Sequence, residues 1–274
     1  QTIVPFNGQI YISSDYGNNW SVSPVPALQW SAVAMSSNGK IQTIVPFNGQ
    51  IYISSDYGKT WALGTTPSIS GRWISIAISS DGLIQTAISA DGIQQISITA
   101  DGLVYRTFDS GISCVSTPLS GEHQSVAISD DGVNQTVVST NKPIYISSDS
   151  GNTWSTSNTN RNWQSVAMSA DGVKQTAVVN SSGQIYISTD SGNTWALGTT
   201  PSPSADWTSV AMSSDGVKQT AVINTGQIYI SSDSGNTWVL GTTPSPFARW
   251  KSVDMTSDGI KRIAVVEGGK IYTS

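Results

Sequence analysis

Ser231-Ser232-Asp233-Ser234-Gly235-Asn236-Thr237-Trp238 is one of five complete copies of a single phrase, Ser-x-Asp-x-Gly-x-x-Trp. The others run from Ser13 to Trp20, Ser54 to Trp61, Ser147 to Trp154 and Ser188 to Trp195. A degenerate sixth reads Thr107-Asp109-Gly111-Cys114, with Cys in the Trp position. The six aspartates follow one another at 41, 53, 40, 41 and 43 residues, and residues 1–17 recur letter for letter at 42–58. A second phrase, Trp-x-Ser-Val-Ala-Met-Ser-Ser-Asp-Gly, lies between the boxes. Its copies begin at Trp30, Trp73, Trp163, Trp207 and Trp250, and at His123 with His for Trp. All ten tryptophans therefore fall on two repeat positions. The only His and the only Cys occupy drifted copies, which speaks against either being a catalytic specialist.

Each repeat reads as four short strands. In residues 207–242 the first is Thr208–Ser213, and Asp215-Gly216 makes a tight turn suited to a two-residue hairpin. The second is Lys218–Ile223, and Asn224-Thr225-Gly226 turns into the third, Gln227–Ser231. The box then turns into the fourth, Trp238–Thr242. Val, Ile, Thr, Tyr and Trp dominate, and no stretch holds a helical period. Four strands per repeat of this length is the pattern of an all-β propeller with four-stranded antiparallel blades.

The copies of the second and third strands number seven, those of the first and fourth six. Seven blades are favoured over six, in one domain spanning 1–274. Residues 73–109 carry about ten extra residues and three Asp-Gly turns, at Asp81, Asp91 and Asp101, which predicts an extra hairpin or loop there.

Composition narrows the function. The chain has 274 residues, a formal charge of -5 and 11% charged residues. Its 13 basic residues form no cluster, so nucleic acid is not an expected partner. One Cys excludes an internal disulfide framework, no metal motif has proper spacing, and no cofactor is expected. No apolar run is long enough to insert in a membrane. Low charge with abundant Ser, Thr, Asn and Gln suggests an extracellular, cell-surface or particle-surface protein. Asn19-Trp20-Ser21, Asn134-Gln135-Thr136 and Asn180-Ser181-Ser182 fit the glycosylation sequon.

The repeated phrase resembles the Asp-box, or BNR, repeat of sialidases, sortilin-type receptors and seven-bladed photosystem assembly factors. The resemblance covers essentially the whole chain. It implies that the box is a folding element at the turn between third and fourth strands, remote from any active site. The chemistry agrees: Asp can accept backbone N–H bonds within a turn, Gly permits a left-handed backbone, and Trp seals the space between sheets.

The resemblance also raises sialidase chemistry, with three arginines on a carboxylate, a Tyr–Glu nucleophile and an Asp acid/base. The carboxylates argue against it. Of 16 Asp and 2 Glu, six sit in boxes and seven precede Gly in turns. That leaves Asp130, Asp206, Asp254, Glu122 and Glu267, with nothing marking a catalytic pair. A triad would have to use His123, which stands at a Trp position. Asp254 and Arg262 depart from the repeat and read as a structural ion pair across a hairpin. The chain thus reads as a non-catalytic member of the resembled group.

Binding is expected on the loops that join one repeat's fourth strand to the next repeat's first. They are long, varied and rich in Pro and Ser, as in Thr66-Pro67-Ser68, Thr200-Pro201-Ser202-Pro203 and Thr243-Pro244-Ser245-Pro246. Each delivers the second Trp behind a variable residue. The candidate ligand-binding set is Trp30, Arg72, Trp73, Glu122, His123, Trp163, Asp206, Trp207, Arg249 and Trp250. Gln29 and Asn162 hold the same preceding position in their repeats. A ring of indoles flanked by polar groups suits sugars, so the expected partner is a glycan, with a protein surface as the alternative. The competing reading is that these tryptophans pack between repeats.

Overall fold

The computed structural model describes residues 1–15, 18–64, 73–89, 103–107, 115–119, 121–181, 183–199, 205–242, 248–269 and 271–274. The chain divides into two compact units. Unit 1 is Gln1–Val133 with Ser150–Asn152, and unit 2 is Asn134–Asp149 with Thr153–Ser274. Among the described residues there is no helix.

Unit 1 holds β1 (Thr2–Ile3), β2 (Tyr11–Ile12), β3 (Ser21–Val22), β4 (Trp30–Met35), β5 (Gln42–Pro46), β6 (Tyr52–Ser54), β7 (Ala62–Leu63), β8 (Trp73–Ile78), β9 (Gln85–Ser89), β10 (Leu103–Thr107), β11 (Val115–Pro118) and β12 (Glu122–Ile128). Its sheets run β1-β2-β3, β4-β5-β6-β7 and β8-β9-β10-β11. Unit 2 holds β13 (Gln135–Ser147), β14 (Ser155–Met168), β15 (Gln175–Val179), β16 (Ile185–Ser188), β17 (Ala196–Leu197), β18 (Trp207–Met212), β19 (Gln219–Ile223), β20 (Ile228–Ser231), β21 (Val239–Leu240), β22 (Trp250–Met255), β23 (Arg262–Val266) and β24 (Ile271–Thr273). Here β13 through β17 follow in order, then β18-β19-β20-β21 and β22-β23-β24. The pairing is antiparallel, as between β18 and β19 or β20 and β21.

Two details differ from the sequence reading. The turn at Asp215-Gly216 is wider than a two-residue hairpin. The Ser213 N–H donates to the Lys218 carbonyl at 2.8 Å, leaving four residues in the loop. Ser213 Oγ donates to Asp215 Oδ1 at 2.6 Å, and that oxygen accepts the Val217 N–H at 2.9 Å, which stabilises the longer loop. The expected Asp254–Arg262 ion pair does not form. Register sets Arg262 opposite Met255 and Asp254 opposite Ile263, so the two side chains leave opposite faces of the sheet. The extra residues of the 73–109 segment fall between β9 and β10, where residues 90–102, with Asp91 and Asp101, lie outside the described residues.

The boxes form one repeated hydrogen-bonded knot. In the box ending at Trp61, Ser54 Oγ donates to Asp56 Oδ1 at 2.9 Å. Asp56 accepts the Thr60 N–H at 2.8 Å and the Thr60 hydroxyl at 2.6 Å. Ser54 Oγ accepts the Gly58 N–H at 2.8 Å, and Trp61 Nε1 donates to the Gly58 carbonyl at 2.9 Å. The boxes at Asp190 and Asp233 repeat this geometry. Two successive residues turn left-handed. Besides the glycine, Tyr57, Ser191 and Ser234 take φ of 66°, 60° and 61°. The strain of a non-glycine residue there is offset by the bonds on either side.

The core is built where one repeat meets the next. Trp207 and Val210 pack with Val178 and Ile185 of the preceding repeat and with Ala221 and Tyr229 of their own. A buried polar relay runs beside this apolar contact. Thr2, Thr43, Thr136 and Thr176 donate through Oγ1 to Oε1 of Gln42, Gln85, Gln175 and Gln219, one repeat onward, at 2.6–2.8 Å. Each Gln spends its Nε2 on the glycine carbonyl of its own turn, as Gln219 does on Gly216 at 3.0 Å. The final repeat swaps both partners: Arg262 replaces Gln and donates through Nε to Thr220 Oγ1 at 2.9 Å, and Ile263 replaces Thr.

Candidate functional site

The first strand of a repeat begins on the second Trp and carries a β-bulge directly after it. Trp207 pairs with Ile223, but the next pair is Ser209 with Val222. The same shift occurs after Trp30, Trp73, Trp163 and Trp250. The bulge aims the indole into the sheet interface and leaves the residue before it at the mouth of the strand.

The structure places the predicted site residues in two classes. Trp30, Trp73, Trp163, Trp207, Trp250 and His123 are 0–2% exposed. Four of the indoles donate Nε1–H to a glycine carbonyl in the second-to-third turn of the repeat before. Trp30 uses Gly8 at 3.1 Å, Trp73 Gly49 at 2.9 Å, Trp207 Gly183 at 3.2 Å and Trp250 Gly226 at 3.0 Å. Tyr52, Tyr186, Tyr229 and Tyr272 meet Trp30, Trp163, Trp207 and Trp250 edge-on, with centroids 5.2–5.5 Å apart. Their geometry is that of packing residues. As placed, they do not offer the open ring of stacking faces that the glycan expectation asked of them, because each indole is already enclosed.

The residues before them form the second class. Gln29, Glu122, Asp206 and Arg249 are exposed and Asn162 is half-buried. Arg72 lies outside the described residues, as do the three Pro/Ser-rich loop segments. The mouths are tied by backbone bonds: the carbonyls of Gln29, Asn162, Asp206 and Arg249 accept N–H groups of Phe47, Asn180, Asn224 and Glu267 at 2.6–2.9 Å. Among the described residues, a rigid backbone thus presents Gln29, Glu122, Asn162, Asp206 and Arg249 at the corresponding position of their repeats.

The remaining carboxylates have local roles. Glu267 lies 3.4 Å from Lys251 and 3.8 Å from Arg249, all exposed, so this triplet contributes little to stability. Burial, with the neighbouring charge of Asp131, pushes the Asp130 carboxyl up. Among the described residues no three of His, Cys, Asp or Glu gather as a metal-holding group, and no helix is long and apolar enough to cross a membrane.

Sequence reading missed the Gln–Thr relay. Its signal was present, since Gln-Thr opens the second strand at 1, 42, 85, 135, 175 and 219. A buried Gln that recurs beside a buried Thr needs a fixed partner.

This geometry belongs to a β-propeller: four-stranded antiparallel sheets, each repeat's first-strand Trp packed on the repeat before. The comparisons with known proteins agree. The family described as Sortilin-Vps10 (Sortilin, neurotensin receptor 3) matches residues 142–243, a Vps10-like stretch shorter than half the chain. Among solved structures, YCF48 bound to D1 peptide superposes with a TM-score of 0.74 at 18% identity, covering 99% of this chain and 86% of that one. YCF48 from Cyanidioschyzon merolae gives 0.74 at 16% identity, over 99% and 89%. The GH74 xyloglucanase from Xanthomonas campestris gives 0.73 at 14% identity, over 97% of this chain and 48% of that one. No curated protein matches the sequence. At these identities the likeness carries the fold.

Proposed function

We propose that the chain is a non-catalytic binding module whose partner is a segment of another protein, held at the loop ends of the repeats. The observation that carries this reading is the division just described. The indoles are enclosed, while the described residues before them are polar, exposed except for the half-buried Asn162, and varied from repeat to repeat. Hydrogen-bonding groups on a rigid scaffold suit the alternating donors and acceptors of an extended chain. YCF48, a fold relative, is described with a D1 peptide bound, and sortilin is described as a neurotensin receptor, which supports the same class of ligand. A surface or extracellular setting fits the low charge and the hydroxyl-rich composition.

Parallel peptide and glycan arrays probed with the intact protein test the reading. Sequence-selective peptide hits that weaken on Arg249→Ala or Asp206→Ala support it. Glycan hits lost on Trp73→Ala, with folding retained, would instead restore the lectin-like reading. Turnover of a fluorogenic sialoside, abolished by changing Glu122 or Asp206, would show that the module is an enzyme.

A further inference from the structure

In one repeat the indole has lost its internal acceptor. The glycine that serves Trp30, Trp73, Trp207 and Trp250 is replaced by Lys142 in the turn that serves Trp163. A Cβ at Gly183 would lie 2.4 Å from Val179, and Gly8 and Gly49 take φ of 125° and 129°, so a side chain at this position strains the turn by crowding or by backbone conformation. Instead the chain is rebuilt as a long hairpin of β13 and β14. Asn141 is left-handed at φ 54°, and the register shifts on both sides of Lys142. Lys142 pairs with Arg161, two residues before Trp163.

The rebuilt turn leaves two buried N–H donors without an acceptor, Nε1 of Trp163 and Nε of Arg161. Both side chains contact one ring: the Arg161 guanidinium lies 4.7 Å over Tyr186, and the same ring meets Trp163 edge-on at 5.2 Å. Asn162 Oδ1, between them in sequence, is also buried and unpaired. Leaving such groups without partners is costly, and native chains rarely do so. Arg161, Asn162 and Lys142 are only half-buried, so part of each side chain reaches solvent while the unpaired atoms themselves are covered.

We infer that Trp163 Nε1–H and Arg161 Nε–H, which become reachable when the half-buried side chains of Lys142 and Arg161 swing outward, form a docking point for a backbone carbonyl oxygen of an incoming extended peptide. The acceptor this oxygen replaces is itself a backbone carbonyl, the glycine oxygen of the other repeats. A peptide group fits better than a carboxylate, because its N–H can serve an acceptor such as Asn162 Oδ1, whereas a carboxylate offers oxygens alone. The inference rests on the protein-binding reading and locates one contact within it.

The test uses the full chain with isotope-labelled indoles and the end-blocked backbone probe acetyl-(Gly-Ser)4-amide, with sodium acetate as a second arm. The Trp163 indole signal is assigned by its loss in Trp163→Phe. The expected result is a saturable shift of that signal with the peptide probe and none in the Trp207 indole, whose acceptor is internal. Arg161→Met weakens the effect about tenfold, the worth of one such bond. Both Trp163→Phe and Trp207→Phe lose packing and lower the melting midpoint, but Trp163→Phe lowers it less, since no internal hydrogen bond is lost there. No shift, an equal shift in both indoles, a shift with acetate alone, or a permanently held water as the sole neighbour of the Trp163 N–H would overturn the docking point. Array hits that persist unchanged in Trp163→Phe and Arg161→Met would overturn it while leaving the protein-binding reading intact. An empty array overturns that reading instead.

Discussion

At the residue scale, the box aspartates act as turn fasteners, and their acidity records it. The hydroxyl and backbone N–H of Thr60 pull the Asp56 carboxyl from 3.8 to about 2. Thr237 holds Asp233 down in the same way, and the backbone and side-chain N–H groups of Asn19 do so for Asp15. A carboxyl whose acidity rises on folding stabilises the folded chain above its unfolded pKa and loses that contribution as pH falls toward its folded value. Thermal midpoints should therefore be flat at neutral pH and fall between about pH 4 and about pH 2. Asp56→Asn should lower the midpoint at neutral pH and flatten that slope, as followed by circular dichroism. The box glycine is equally constrained. At Gly235, with φ of 81°, an added Cβ would lie 2.8 Å from Ile187 Cγ2 and 2.9 Å from Gln219 Oε1. Gly235→Ala should cost about 1–3 kcal/mol in denaturant unfolding, through backbone strain and overpacking together.

At the scale of elements, the Gln–Thr relay joins the second strands of successive repeats inside an apolar interface. Thr176→Val keeps the shape and removes the donor, leaving Gln219 Oε1 buried and unpaired. The expected loss is about 1–3 kcal/mol. The double variant Thr176→Val, Gln219→Met should cost less than the two single changes added together, because no orphaned acceptor is left at the relay. Chemical denaturation of the three variants measures this directly. Strand placement was legible in the sequence to within a residue or two. The predicted Thr208–Ser213 and Lys218–Ile223 stand against Trp207–Met212 and Gln219–Ile223, since apolar period and turn residues mark both ends. The Asp254–Arg262 pairing was not legible, because facing partners depend on register, and a wider turn moves register by whole residues.

At the scale of the whole molecule, the sequence showed which residues stand at the loop ends, but not how far each is exposed. The alternation of strands identified the loop ends, and of the variable residues there Gln29, Glu122, Asp206 and Arg249 are exposed. That the indoles themselves would be enclosed depended on the bulge after each Trp, which composition does not signal. Within unit 2, alternation also sorts charge. Asp149, Asp171, Asp190, Asp215, Asp233 and Asp258 lie in the first-to-second and third-to-fourth turns, with Lys174, Lys218 and Lys261. At the opposite strand ends Lys142, Arg161, Arg249 and Lys251 outnumber Asp206 and Glu267. Peptides that bind there should be acidic more often than basic. Their affinity should fall several-fold as salt rises from about 0.05 to about 0.5 M, where screening shortens to a few ångströms. Titrations of array hits at the two salt concentrations check this, and salt-independent binding of basic peptides would contradict it.

The substitution of Arg262 and Ile263 for Gln and Thr gives the series a polarity. The copies that carry Thr2, Thr43, Thr136 and Thr176 each hand a hydroxyl donor to the glutamine of the next copy, so recombination could insert or delete a copy of this kind and the hand-over would still be made. The copy that ends in β24 is the exception: it reaches back with a guanidinium and offers a hydrocarbon forward. Moved inward, it would break the succession at the next glutamine. Selection on copy number can therefore act more freely on copies that keep both Gln and Thr than on the copy that carries Arg262 and Ile263.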